Sequence, residues 1–364
     1  MIIYDFAIVG AGIAGASLSA ELADHASVLV LEGEDQPGYH ATGRSAAFWE
    51  ECYGGPEIVP LTLASGPYLR EHGFLTNRGA LYIGREEDRA QLDEFERRFS
   101  GTGASFERLD QAGLEARLPG LQPAWRDAIW EPACADINVS ALHAHYLKLG
   151  KARGVDLEVR ARLVSATRSD EQWDLRTADG EYFKAKTLVN AAGAWADGIA
   201  EMAGARPIGI TPLRRTVVQI RTNPAPPDTL PLVLDINGDF YFKPEAGRLW
   251  LSPHDETPSD PCDAAPEELD VALALDRFTN VCNWYIEAVE HRWAGLRSFA
   301  SDRLPVYGYD PQCPGFAWFA GQGGYGIQTS PAAARLAAQL LLGRERDEMT
   351  RSIDAVRYSP QRFV

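Results

Sequence analysis

A glycine hexad between two short apolar runs constrains this chain more than any other feature. Phe6-Ala7-Ile8-Val9 leads into Gly10-Ala11-Gly12-Ile13-Ala14-Gly15, an alanine- and leucine-rich stretch runs to about Asp24, and Val28-Leu29-Val30-Leu31 ends at Glu32. The two runs predict buried parallel strands, with a helix between them. The hexad therefore falls on a strand-to-helix turn, the setting in which GxGxxG binds a dinucleotide. Gly10 permits the tight turn, Gly12 leaves the backbone open to a pyrophosphate, and Gly15 lets the helix pack closely on the sheet. Ile13 and Ala14 open the helix, whose free N–H groups and positive dipole end face the phosphates. Glu32 is placed to accept hydrogen bonds from the ribose hydroxyls of an adenosine.

The hexad alone does not separate FAD from NAD. A simple NAD domain usually continues with another helix, whereas this chain continues with the polar, small-residue loop Gly38-Tyr39-His40-Ala41-Thr42-Gly43-Arg44-Ser45-Ala46-Ala47. Thr42, Arg44 and Ser45 offer partners to phosphate and ribityl oxygens. Gly43 and Ala46 are small enough for a bulky ring system to lie against the backbone. This favours FAD; the alternative is a surface loop with no ligand.

Two later segments have the same character. Thr187-Leu188-Val189-Asn190-Ala191-Ala192-Gly193-Ala194-Trp195 predicts a buried strand that ends in small residues, with Ala192, Gly193 and Trp195 at the ligand and a helix from about Ala196. Ahead of it, residues 155–164 and 173–177 alternate as sheet strands, and Val164 either gives backbone contacts to adenine or is plain core. Near the C-terminus, Phe316-Ala317-Trp318-Phe319-Ala320 predicts a strand and Gly321-Gln322-Gly323-Gly324-Tyr325-Gly326 a turn. Ile327-Gln328-Thr329-Ser330-Pro331 then opens a helix, with proline near its first turn. A second helix N-terminus facing the ligand would stabilise the anion of a reduced flavin. Segments 1–76, 130–212 and 290–364 thus form one discontinuous Rossmann-like FAD-binding domain. Segments 77–129 and 213–289, with aromatic runs such as Phe240-Tyr241-Phe242, form a mixed or antiparallel-sheet substrate domain that caps it. The expected fold class is α/β + β.

Composition narrows the partners. The 364 residues carry a net charge of −16, which repels the nucleic-acid backbone and argues against nucleic-acid binding. The five cysteines are scattered, with no CxxC, so neither a disulfide framework nor a metal site is expected, and a reducing compartment is. No basic leader precedes the first strand, and the late apolar run 336–342 is far short of the ~20 residues of a membrane span. The expectation is a cytoplasmic protein without a transmembrane segment, free or peripheral to the inner face of a membrane. No cysteine or histidine sits in or just before the 321–326 turn, so the FAD is expected to be held non-covalently.

The segments GAGIAGAS, GYHATGRSAA, VNAAGAW, HRWAGLRSFASD and QGGYGIQTS together resemble the FAD-dependent D-amino-acid oxidase/dehydrogenase superfamily over nearly the whole chain, with the bacterial D-arginine dehydrogenases as the nearest likeness. The resemblance implies a small-molecule D-amino acid as substrate. A hydride passes from Cα to flavin, and water hydrolyses the imino acid to a keto acid and ammonia. The electron acceptor is left unidentified, quinone or dye-like. On the matching positions, Arg297 clamps the substrate carboxylate. Arg215 is a second carboxylate-facing arginine, with the adjacent Arg214 as the other option. Tyr53 and Tyr241 close the pocket. The carbonyl of Gly295 and the side chain of Gln328 surround the amine.

The departures concern specificity. Ala80 stands where the D-arginine dehydrogenases have a glutamate, and Phe48 and Glu50 replace a histidine and a threonine of their mobile loop. This implies an apolar or aromatic substrate side chain, unless Glu50 swings in as a replacement partner; otherwise Glu50 and Glu51 are exposed loop charges. Trp250 stands where sarcosine-oxidase-like relatives carry an oxygen-activating lysine, with Lys243 as a nearby substitute, so a dehydrogenase is expected. The alternatives are a glycine- or sarcosine-type oxidase and a flavin-binding protein without turnover.

Overall fold

The computed structural model describes residues 2–364. The strand Ile3–Val9 lies between Val28–Leu31 and Tyr182–Asn190, parallel to both, and Phe316–Ala320 pairs in parallel with Tyr182–Asn190. Each cofactor-like segment therefore contributes a strand ending at the same edge. The antiparallel strands Leu163–Ser169 and Gln172–Thr177 extend this sheet beyond Tyr182–Asn190. The helix Ile13–Leu22 is covered on two sides. Leu18 and Leu22 pack with Val28, Val30 and Phe319, while Ile13, Ala16 and Ala20 pack with Leu142 and Tyr146 of the helix Val139–Ala152. Burial on two sides explains its run of small residues.

The second sheet is antiparallel except where Leu232–Asp235 runs parallel to Ala80–Arg85. Its longest pair is Thr211–Asn223 against Tyr285–Phe299, with Arg215 opposite Gly295 and Leu213 opposite Arg297. Side chains alternate across a strand, so Arg215, Gly295 and Arg297 share one face and Arg214 takes the other. Arg214 accordingly pairs with Glu267 and, at 3.1 Å, with Asp270 of the helix Glu268–Thr279 behind the sheet. The expected boundaries at 129/130 and 289/290 fall inside Trp125–Glu131 and Tyr285–Phe299, which run uninterrupted through them as members of this sheet. A small antiparallel sheet, Phe48–Trp49, Ala135–Ile137 and Leu75–Asn77, carries Phe48 to the junction. No helix among the described residues is long and apolar enough to cross a membrane.

Candidate cofactor cleft and active site

A cleft of 590 Å³ runs over the strand ends of the first sheet, from Glu32 and Arg162 to Gly295 and Gly323. Its floor is backbone and small side chains: Gly10, Gly12, Ala14, Ala192 and Gly193. Gly10 has φ +99°, and a Cβ there would stand 2.7 Å from the Ala191 carbonyl oxygen. A Cβ on Gly15 would overlap the Gly10 carbonyl, so this glycine sets how closely helix and turn approach. The rim is pinned by local bonds. The Glu32 carboxylate accepts from Ala11 N–H at 2.8 Å and Glu34 N–H at 2.9 Å, and Thr42 Oγ1 accepts from Ile13 N–H at 3.0 Å. Loop 38–47 is thereby tied to the helix N-terminus. Arg44 fastens it to the second sheet by donating to the Ala264 and Ala294 carbonyls at 2.9 and 3.3 Å and pairing with Asp263. A backbone cradle, a helix N-terminus and an acidic residue at the second strand end suit a dinucleotide.

At its Gly295–Gly323 end the cleft shares walls with a cavity of 160 Å³ between the sheets. Arg215, Tyr241, Gly295 and Arg297 line it from the second sheet, Tyr53 and Phe48 from the segment after the loop, and Gly324 and Gly326 from the C-terminal turn. Arg297 Nη1 donates to Tyr53 Oη at 3.1 Å, and Nη2 meets Glu256 Oε1 at 2.6 Å. Arg297 Nε has no hydrogen-bond partner among the described residues. Arg215 donates through Nε to the Asp255 carbonyl at 2.9 Å and has Nη2 3.6 Å from the same Glu256 oxygen. Burial, then the neighbouring Arg297 guanidinium, lower Arg215 to about 10, so it stays charged at neutral pH. Burial opposes ionisation of Glu256, but its bond to Arg303 and the charge of Arg297 prevail and hold it down at about 2. Gly324 admits this arrangement, since a Cβ there would overlap the Tyr53 hydroxyl.

His254 also lines the cavity, at φ +55°. Its Nδ1 bonds the Gly238 carbonyl, which can only accept, so Nδ1 carries the proton and Nε2 is an acceptor. Burial, then the charges of Arg215 and Arg297, lower it to about 3, so the ring is neutral at working pH. Neither His254 nor Glu256 belongs to a spaced motif. They lie in the connection between Arg248–Ser252 and Thr257–Pro258, and only the folding of that connection against Arg215 brings them to the site.

The remaining expected residues divide by position. Ile13, Thr42 and Arg44 line both spaces, Ser45, Ala46 and Ile327 the cavity, and Trp195 the cleft, where its ring lies 4.7 Å from that of His40. Five do not reach either space. Gly15 and Gly43 act behind the surface; Gly43 N–H bonds the Gly38 carbonyl at 2.8 Å. Val164 is 44 % exposed, because a bulge between Leu163 and Ser165 turns it outward, and Arg162 and Leu163 line the cleft instead. Tyr325 packs on Tyr53 and Phe299. The Gln328 side chain is turned from the cavity by bonds to Thr62 Oγ1 at 2.8 Å and to the Glu50 backbone. Trp250 and Lys243 also lie off the cavity: Trp250 donates to Gln219 at 3.0 Å, and Lys243 pairs with Asp136 and Glu245 at 3.1 and 2.8 Å. Glu50 and Glu51, expected as exposed charges, are 2 % and 6 % exposed. Backbone bonds draw them inside: Glu131 accepts from Glu51 N–H at 2.6 Å, and Glu51 accepts from Ser105 N–H at 2.7 Å.

A glycine-floored cleft of the dinucleotide-binding type thus opens on a cavity lined by two largely buried guanidiniums. The model of the FAD dependent oxidoreductase (DAO) family matches residues 5–340, and the chain belongs to that family. It is similar to glycine oxidase of Geobacillus kaustophilus (strain HTA426), 26% identical over 362 residues that cover 94% of each chain. The crystal structure of glycine oxidase from Geobacillus kaustophilus matches with a TM-score of 0.85 at 25% identity, over 100% of both chains. L-proline dehydrogenase from P. horikoshii shares the fold, with a TM-score of 0.85 at 22% identity over 99% of this chain and 98% of that one. These relatives support the superfamily and do not single out the D-arginine dehydrogenases.

Proposed function

We propose that the chain is an FAD-dependent D-amino-acid dehydrogenase that oxidises the Cα–N bond of a small-molecule D-amino acid. It holds FAD non-covalently, works in the cytoplasm, and passes electrons to an acceptor other than oxygen. The observation that carries this reading is the convergence of Arg297, Arg215, Tyr53 and Tyr241 on one buried cavity that shares walls with the glycine-floored cleft. Arg297 and Arg215 lean on the one Glu256 carboxylate, at 2.6 and 3.6 Å, and Arg297 Nε has no hydrogen-bond partner among the described residues; a substrate carboxylate matches such a fork bidentately. Gly10, Gly12, Glu32, Thr42 and Ala192 would hold the cofactor, and FAD bound there supplies the acceptor for the Cα hydride.

In this reading Arg297 and Arg215 bind the carboxylate, and Tyr53 and Tyr241 fix its orientation. An ammonium holds no lone pair to assist departure of the hydride, so the amine must lose a proton. The neutral His254 offers Nε2 as an acceptor within the same cavity. The loops on both sides hold Cα against the cleft and exclude water from it. No lysine among the described residues lines the cavity or the cleft, and Lys243 is tied to Asp136 and Glu245; both favour the dehydrogenase reading.

A glycine- or sarcosine-type oxidase is the second reading. It is favoured by the likeness to glycine oxidase over 94% of each chain. Turnover of a panel of amino acids in both configurations, with glycine and sarcosine, is measured with a dye acceptor and with oxygen alone. The proposal expects D-amino acids to turn over with dye and poorly with oxygen. Flavin reoxidation in air as fast as turnover, with stoichiometric peroxide, would establish an oxidase.

A further inference from the structure

Glu50 brings to the cavity a carboxyl group to which nothing among the described residues donates a hydrogen bond. It follows the strand Phe48–Trp49 and is 2 % exposed. Its backbone is fixed on both sides by Gln328, whose Oε1 accepts its N–H at 3.2 Å and whose Nε2 donates to its carbonyl at 3.3 Å. The residue lines the cavity; no group among the described residues donates to its carboxyl, and Oε1 is sealed from solvent behind the cavity wall. An unsatisfied buried carboxyl oxygen destabilises the empty protein. A donor that arrives with the substrate would reach the carboxyl through its other oxygen, Oε2.

The position of Glu50 distinguishes which part of the substrate brings that donor. The clamp residues and the flavin-side loops account for most of the cavity wall; Phe48, Glu50, Val217, Leu234, His254 and Leu296 make up the rest. Phe48 and Leu234 belong to one apolar cluster with Ala80 and Cys134 behind them. Burial, and then the Glu131 carboxyl, push Glu50 well above its ordinary range, and neither clamp arginine relieves it. Glu50 enters the cavity from the end of Phe48–Trp49, whereas the guanidiniums that would hold the substrate carboxylate come from Thr211–Asn223 and Tyr285–Phe299 of the second sheet. Ala80, the basis for an apolar side chain, is fully buried and does not line the cavity.

Resting on the amino-acid reading above, we infer that Glu50 is a specificity-determining residue that receives an amino or guanidino group on the substrate side chain. The preferred substrates are then short diamino acids and their kin rather than apolar ones. The small cavity suits a side chain of a few atoms.

The test compares isosteric pairs on the holoenzyme: ornithine with norleucine, and 2,4-diaminobutyrate with norvaline, each in both configurations, followed by flavin reduction and dye-linked turnover. The cationic member of each pair should have the higher kcat/KM by about 10-fold or more. Glu50→Gln should lower the cationic-to-apolar ratio by about 100-fold, the scale of losing a charged hydrogen-bond partner. Preference of the wild type for norleucine and norvaline overturns the inference and needs no variant. So does a ratio unchanged in Glu50→Gln. Reduction of the flavin by no amino acid at all overturns the amino-acid reading, and the inference with it.

Discussion

The cofactor cleft and the substrate cavity share Thr42, Arg44, Gly295 and Gly323 but are built by opposite means. The cleft is shaped by missing side chains. Its glycines and alanines let backbone N–H groups and strand ends approach a ligand, and one carboxylate, Glu32, braces the turn. The cavity is shaped by long charged and aromatic side chains from several elements, held by one another: Arg297 by Tyr53 and Glu256, Arg215 by Asp255 and Glu256. The first kind of site is encoded at fixed spacing in local sequence. The second is encoded in strand register, which spacing does not reveal.

This contrast is broken most severely at the cleft. Gly15→Val forces a side chain onto the Gly10 carbonyl, so the variant should purify colourless and fail to take up added FAD. Stoichiometric flavin in it would show that the close approach of helix and turn is dispensable. In the wild type, acid precipitation should release the yellow colour into the supernatant; colour kept in the pellet would mean a covalent bond.

The next effect separates the two faces of one strand. Arg215→Met should lower kcat/KM for the amino acid by roughly 10- to 100-fold with FAD content unchanged, by loss of a charged hydrogen-bond partner. Arg214→Met should keep turnover near wild type and lower Tm, because it strands Asp270, a largely buried carboxylate, without its partner. The reverse pattern would put the wrong face of Thr211–Asn223 in the cavity.

The smallest effect is on stability. Glu50 titrates higher in the folded protein than its ordinary 4.5, because of burial and then Glu131. Below that ordinary value both states are protonated and the group contributes no pH dependence. As pH rises above it, the unfolded state ionises first, and wild type loses about 1.4 kcal/mol of stability per pH unit until the folded state ionises too. Glutamine does not titrate. The Tm of Glu50→Gln relative to wild type should therefore climb as the pH is raised from about 5; a constant or falling difference would mean that Glu50 ionises freely.

The legibility of the sequence follows the same division. The hexad falls on the strand-to-helix turn that its glycine spacing implies, and Glu32, the 38–47 loop and the 321–326 turn each contribute residues to the cleft or cavity wall, because glycine spacing and strand ends are local properties. The choice between Arg214 and Arg215 is open in the sequence, since it depends on pairing with a strand some 80 residues away; the register Arg215 to Gly295 decides it. A bulge carries Val164 away from its expected place, and Thr62, a partner 266 residues distant, does the same to Gln328. The burial of Glu50 and Glu51 has no local signal because it rests on Gln328, Glu131 and Ser105.

The central claim is that a buried guanidinium clamp presents a carboxylate-bearing amine to the cofactor. Anaerobic stopped-flow reduction of the bound flavin by an amino acid, and by the same amine without its carboxylate, tests it on the wild type and on Arg297→Met. The account predicts that the carboxylate speeds wild-type reduction on the order of 100-fold or more, and that Arg297→Met erases most of this advantage while binding FAD normally. Equal rates for the two amines in the wild type, or an undiminished advantage in Arg297→Met, would contradict it.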